Sequence, residues 1–149
     1  MMKLSSEEME RRIRAYFDAC NRADSAGIAA FFTSDARHYF PAGSPFGVLD
    51  GAQAIGDCWA RCVAEIGSHW TVDNFVGDAA KGQAVIEWTH FKTKPGLILR
   101  GDEWYRFQDD GRIKEIRAYY ACPTHANVGD HGLGGFDYAS RGYPLKPGQ

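Results

Sequence analysis

Apolar residues follow a helical spacing through the first third of the chain and alternate with polar ones from His69 onward. Met9, Ile13, Tyr16, Phe17 and Cys20 share one helical face, and Ser5 with Glu8 forms an S-x-x-E capping box ahead of them. The spacing predicts a long first helix. "NRADSAG" interrupts it, and Ser25 is placed to cap a short second helix through Ile28, Phe31 and Phe32. "ARHYF" predicts a short strand ended by "PAGSP". In "DGAQ", Asp50 is the expected cap of a third helix with Gln53 reaching back. Ile55, Trp59, Cys62, Val63 and Ile66 supply that helix's apolar face.

The period then becomes two. "HWTVDNFV", "QAVIEWTHFK", "LILRGDEWYRF" and "RIKEIRAYY" predict successive strands, joined by the glycine-containing turns "GDAAKG", "TKPG" and "QDDGR". Helices followed by an antiparallel meander define an α+β class with the helices on one face of a sheet. A strongly twisted sheet of this kind, closed by helices, makes a cone with a hollow end. Neither repeats nor a linker divide the chain, so residues 1–149 are expected to form one domain. Residues 122–149, rich in Gly and Pro, read as a coil tail on the cone mouth or on a partner subunit. Phe136, Tyr138 and Tyr143 predict order in that tail, and Asp137 and Arg141 are spaced to pair.

Bulk properties narrow the function classes. Charged residues make up 24% and net charge is −2 without a basic stripe, which disfavours nucleic acid as a partner. No apolar run has membrane-spanning length, and the charged N-terminal stretch lacks the apolar centre of a secretion signal, so a cytoplasmic location is expected. Aromatic content is 13%, a surplus that suits a pocket or an interface. Cys58 and Cys62 are four apart on a helix, and "CPTHANVGDH" brings Cys122, His125 and His131 close in sequence, but neither spacing forms a metal motif. No phosphate loop, dinucleotide fingerprint or nucleophile elbow occurs, so any chemistry is expected to be cofactor-free.

The order of elements, over roughly residues 8 to 122, resembles the cone-shaped nuclear transport factor-2-like superfamily. That group includes SnoaL-like polyketide cyclases and ketosteroid isomerases. "DEWYRFQDDGRIKEIRAYY" resembles the isomerase pattern of an acid, an arginine–phenylalanine strand end, a glycine turn and an aromatic finish. "RAYFDACNRADSAGIAAFFTSDA" is similar to that family's opening. The resemblance implies a curved mixed or antiparallel sheet around N-terminal helices. It also implies an oxyanion site at Tyr16 and Glu103. The family's catalytic aspartate position holds Phe40, which cannot accept a proton, so the resemblance leaves the base to His38, His90 or His69. His69 loosely matches a scytalone-dehydratase-like position.

Glu103 on an apolar inward face is expected to stay protonated or to hydrogen-bond Tyr16, instead of pairing with an arginine such as Arg100 or Arg117. On "AVIEWTHFK", Ile86, Trp88 and His90 are expected to face the cavity. Phe32, Phe40, Trp59, Trp88, Tyr105, Ile116 and Tyr120 are candidate lining for a small, flat, aromatic substrate. The opposite face, with Trp104, Arg106, Arg117 and Tyr119, is expected to form a homodimer interface. These readings rank a cofactor-free lyase first, with an isomerase or cyclase and a non-catalytic ligand-binding module as alternatives. An epoxide-hydrolase reading through Asp102 and Arg100 is discounted because register points both away from Glu103.

Overall fold

A computed structural model describes residues 4–120 and 132–147. Cys122, His125 and His131 lie outside the described residues. Helix α1 spans Ser6–Asn21, and the Ser5 hydroxyl accepts from the Glu8 amide at 3.1 Å. Glu8 does not complete the capping box through its carboxylate, which instead takes bonds from Arg11 and Arg12. Met9, Ile13, Tyr16, Phe17 and Cys20 are buried, as their spacing requires.

Helix α2 covers only Ser25–Ala29, and its cap is Asp24, not Ser25: the Asp24 carboxylate accepts from the Gly27 amide. Phe31 and Phe32 are not part of it. Phe32 opens strand β1, Phe32–Tyr39, which therefore begins four residues before "ARHYF". Asp50 also departs from expectation. It lies in a short strand β2, Leu49–Asp50, and faces Arg37, while Gly51 occupies the cap position of helix α3, Ala52–Ile66. Gln53 turns to Ser25 and Asp57, tying α3 to α2. Gly67 ends α3 at φ 69, a left-handed conformation that suits glycine.

The four strands of the meander are β3 (Ser68–Asp78), β4 (Gln83–Lys92), β5 (Leu97–Phe107) and β6 (Ile113–Tyr119). The sheet order is β2-β1-β6-β5-β4-β3, antiparallel except for the β1–β6 pair. The sheet is mixed and its ends are not joined. It curls instead: α3 touches β1 and β2 at one edge and β3 at the other. A register shift between Val72 and Asn74 contributes to the bend. It also changes the inward parity on β3, so that Ser68, Trp70 and Val72 lie opposite the inner residues of β4, followed by Phe75 across from Ile86.

The concave side holds one apolar core built from α1, α3 and the inner strand faces. A second cluster lies on the convex side, where Leu133 and Phe136 of the tail bury Tyr39. Arg141 does not bond Asp137. It donates to Glu115 at 2.7 Å and sits over the Phe136 ring, while Asp137 accepts from Ser140. Glu115, 4% exposed, also lies near Arg106 and Arg117. Arg117 and Tyr119, expected at a dimer face, are thus largely covered by their own chain.

Gly101 on β5 faces Trp88 on β4, and a Cβ there would come within 2.5 Å of the Tyr119 carbonyl oxygen and 2.8 Å of Trp88 Cζ2. The expected result of Gly101→Ala is a loss of about 1–3 kcal/mol from overpacking. Urea titration should show a lower midpoint at an unchanged m-value.

Candidate active site

Strand alternation turns Glu103, Tyr105 and Phe107 into the concave core and sends Asp102, Trp104 and Arg106 outward. Glu103 is 5% exposed. Its Oε1 accepts the Tyr105 hydroxyl at 2.7 Å, and its Oε2 lies 3.6 Å from His38 Nε2. Among the described residues it has no arginine or lysine partner, so neither Arg100 nor Arg117 neutralises it. Burial pushes the Glu103 carboxyl up to about 7, against a smaller downward pull from the Tyr105 donor.

His38, on β1, lies two strands over from β5, across β6: it pairs with Ile116, which in turn pairs with Tyr105. Its ring stacks on Phe40 at 4.3 Å and meets the edge of Trp59. Burial lowers its pKa to about 3, so His38 is neutral across the physiological range. At 3.6 Å the contact is longer than a hydrogen bond, and burial disfavours charge on both partners. The pair is therefore a poised carboxyl facing a neutral imidazole, not an ion pair.

Tyr16 is buried on α1 but does not bond Glu103. Its hydroxyl accepts from Trp59 Nε1 at 2.9 Å and lies beside the Cys20 thiol one helical turn on. Helix α1 presents Tyr16 toward α3 because Phe17, Phe31 and Phe32 pack around its ring. Trp59 is the hub, with Phe40, Phe46, Trp70 and His38 around it.

The other two described histidines separate. His90 is buried, stacks on Trp70 at 4.7 Å and shares a 2.7 Å hydrogen bond with the Ser68 hydroxyl. Burial lowers it to about 4. It stands opposite Leu99, whereas Glu103 stands opposite Ile86, so the two are about 13 Å apart along the ladder. His69 is exposed, beside Phe91 on the convex face: the strand starts at Ser68, which gives the inward positions to Ser68 and Trp70. His69 is therefore not in the interior group.

Phe32, Phe40, Trp59, Trp88, Tyr105 and Ile116 are all buried in the concave core, and half-buried Tyr120 packs on Trp88. Asp102 and Arg100 lie on the other face. Neither polar partnership, Tyr105 with Glu103 nor Ser68 with His90, is among the expected contacts. Tyr105 was legible, since a residue two from Glu103 shares its face. Ser68 had no signal beyond its place two before Trp70. Among the described residues no group of His, Cys, Asp and Glu is arranged to hold a metal.

A curled sheet closed over helices, with a buried acid at its centre, is the nuclear-transport-factor-2-like class of α+β cone. Within it, residues 13–116 match the SnoaL-like domain, and the chain belongs to that family. No functionally curated protein matches the sequence. A protein of unknown function with a cystatin-like fold from Methylobium petroleophilum is 46% identical at TM-score 0.93, over 99% of this chain and 98% of that one. A nuclear-transport-factor-2-like protein of unknown function from Cytophaga hutchinsonii shares the fold at TM-score 0.63 and 9% identity, over 85% of this chain and 98% of that one. So does SalBIII, an epoxide hydrolase/cyclase-like enzyme of pyran ring formation in salinomycin, at TM-score 0.65 and 14% identity, over 78% and 93%. No helix among the described residues is long and apolar enough to cross a membrane.

The shifts of the buried groups set the pH dependence of stability. Glu103 is raised from 4.5 to about 7, so its contribution is complete below 4.5 and lost as pH rises through about 7. His38 and His90, lowered from 6.5 to about 3 and about 4, act oppositely: their contribution is present above 6.5 and lost as pH falls toward those values. Glu103→Gln removes only the first effect. Relative to wild type, it should gain about 3 kcal/mol between pH 4.5 and 8 in urea unfolding. Parallel stability curves would contradict the shift.

Proposed function

We propose that the protein is a cofactor-independent acid/base lyase acting on a small aromatic or polycyclic hydroxy-carbonyl compound. The observation that carries this reading is Glu103: a carboxyl on the concave face, without a cation among the described residues, whose pKa of about 7 suits proton transfer in both directions near neutrality. In the ionised half of the population the carboxylate takes the proton from the carbon next to the substrate carbonyl. The β-hydroxyl leaves with that proton returned by the same carboxyl. A carbon–carbon double bond forms, water departs and Glu103 is restored.

Tyr105 and His38 have positioning roles in this scheme, one on each carboxyl oxygen. Tyr16 can meet the developing oxyanion by turning its O–H from Cys20, with Trp59 still donating to its oxygen. His90, bonded to Ser68, belongs to the far end of the substrate. Isomerisation or cyclisation uses the same carboxyl, and membership of the SnoaL-like family supports them as the second reading.

The test is incubation with 4-hydroxy-4-phenyl-2-butanone in heavy water, followed by mass spectrometry. Wild type should yield the dehydrated enone, with kcat/KM rising through a midpoint near pH 7 as Glu103 ionises. Glu103→Gln should lower kcat/KM by about 10²–10⁴-fold, and His90→Ala by much less. Solvent deuterium in recovered substrate without water loss would favour isomerase chemistry. Equal binding by wild type and Glu103→Gln without any conversion would favour a binding module.

The protein is further proposed to be a homodimer through the convex face of β3–β5. Val76, Val85 and Trp104 form a cross-strand row there, and Val76 and Trp104 are 62% and 40% exposed. Trp104→Glu should convert a dimer to a monomer in sedimentation velocity. A monomeric wild type would refute the interface.

A further inference from the structure

Trp88 is 5% exposed, and its Nε1 has no hydrogen-bond partner among the described residues. Buried indole N–H groups normally find an acceptor, and leaving one without a partner destabilises the free protein. The position of this donor gives it a use. Trp88 lies between Ile86, opposite Glu103, and His90 on the concave face of β4. Its own cross-strand neighbour is Gly101, where a Cβ would sit 2.8 Å from Trp88 Cζ2 and 3.0 Å from Tyr120 Cβ.

Cζ2 is bonded to the ring carbon that carries Nε1, so the indole's donor edge is the edge over Gly101. The missing side chain lets the ring lie there. Tyr120, half-buried, meets the indole edge-on at 5.8 Å, and its hydroxyl is 3.0 Å from that of Ser44. The donor edge is therefore flanked by the Gly101 backbone and a ring at the end of β6, about 7 Å along the ladder from Glu103.

We propose that Trp88 Nε1 is a specificity-determining donor for a second oxygen of the substrate. A ligand enters by displacing the Tyr120 ring and presents a carbonyl or ether oxygen to the indole N–H. That oxygen lies about 7 Å along the ladder from the level of Glu103, roughly the span of two fused rings. The proposal rests on the acid/base reading of Glu103 and adds a substrate class: a flat, two-ring compound with an acceptor oxygen distant from the reacting carbon. A site built to bond such an oxygen discriminates against the analogue that lacks it.

The probes are 1-tetralone, which has an aryl ketone oxygen, and tetralin, which does not. In ¹⁵N-labelled protein the Trp88 indole resonance is identified by its loss in Trp88→Phe. Tetralone should move it downfield and slow its hydrogen exchange, whereas tetralin should not. The Trp59 indole, already bonded to Tyr16, should stay in place with both. Trp88→Phe should weaken tetralone binding at least tenfold, leave tetralin binding within twofold and unfold no earlier than wild type.

Equal tetralone affinity in Trp88→Phe, or no tetralone binding by wild type, would overturn the proposal. So would a free protein whose Trp88 proton already resonates as hydrogen-bonded and whose Trp88→Phe variant unfolds early. Because the readout is binding, it is independent of turnover. Failure of dehydration with tetralone selectivity intact strikes the lyase reading, while lost selectivity with dehydration intact strikes only the Trp88 donor.

Discussion

Burying a carboxylate without a cation carries a desolvation penalty of several kcal/mol, and a protein meets it either by pairing the charge or by keeping the proton. The chain shows both solutions on opposite faces of one sheet. Glu115, turned to the convex side, is surrounded by Arg106, Arg117 and Arg141 within 3.7 Å. Glu103, turned to the concave side, is offered a phenol and a neutral imidazole. The first arrangement fastens the tail to the sheet. The second keeps a carboxyl near the midpoint of its titration.

The concave setting depends on how the sheet is closed. Helix α3 spans from β1 and β2 to β3, and Trp59 at its centre joins Tyr16, His38, Phe40 and Trp70 in one aromatic group. Those rings exclude water from Glu103 and His38, and the same exclusion lowers both buried histidines. The aromatic surplus in the composition therefore has a specific use. It supplies the low-dielectric wall that sets the acid's pKa, and the Trp59 indole N–H within that wall donates to Tyr16.

Strands β4 and β5 were legible to the residue because glycine-containing turns bound them and no bulge interrupts their mutual pairing, and Glu103, Tyr105, Trp88 and His90 fell on the predicted face with them. Where a local competitor intervened, the pattern misled. Asp24 captured the cap assigned to Ser25, and Asp50 was drawn into a two-residue strand against β1. The register shift near Asp73 cannot be seen in a period-two pattern, because it adds a residue that belongs to neither face.

Side-chain partners were less legible than faces. Tyr16 was placed inside correctly, but its partner is Trp59 because the rotation of α1 follows its packing against α3 and the phenylalanines. His38 reached Glu103 and His90 did not, since proximity across strands depends on the β1–β6 and β4–β5 registers. A chain read one strand at a time does not carry that information. Membership of the SnoaL-like family fixes the frame, while the positions of Phe40 and His38 distinguish this chain's interior from the isomerase pattern it resembles.

The chemistry of the concave site turns on the proton of Glu103. The direct measurement is a ¹³C NMR titration of protein labelled at glutamate side-chain carboxyls, with the Glu103 signal identified by its absence in Glu103→Gln. A titration midpoint near 7, far above those of the surface glutamates, is the predicted result. A midpoint between 4 and 5 would mean that the carboxyl is solvated or ion-paired in solution, and the poised acid at the centre of this fold would be wrong.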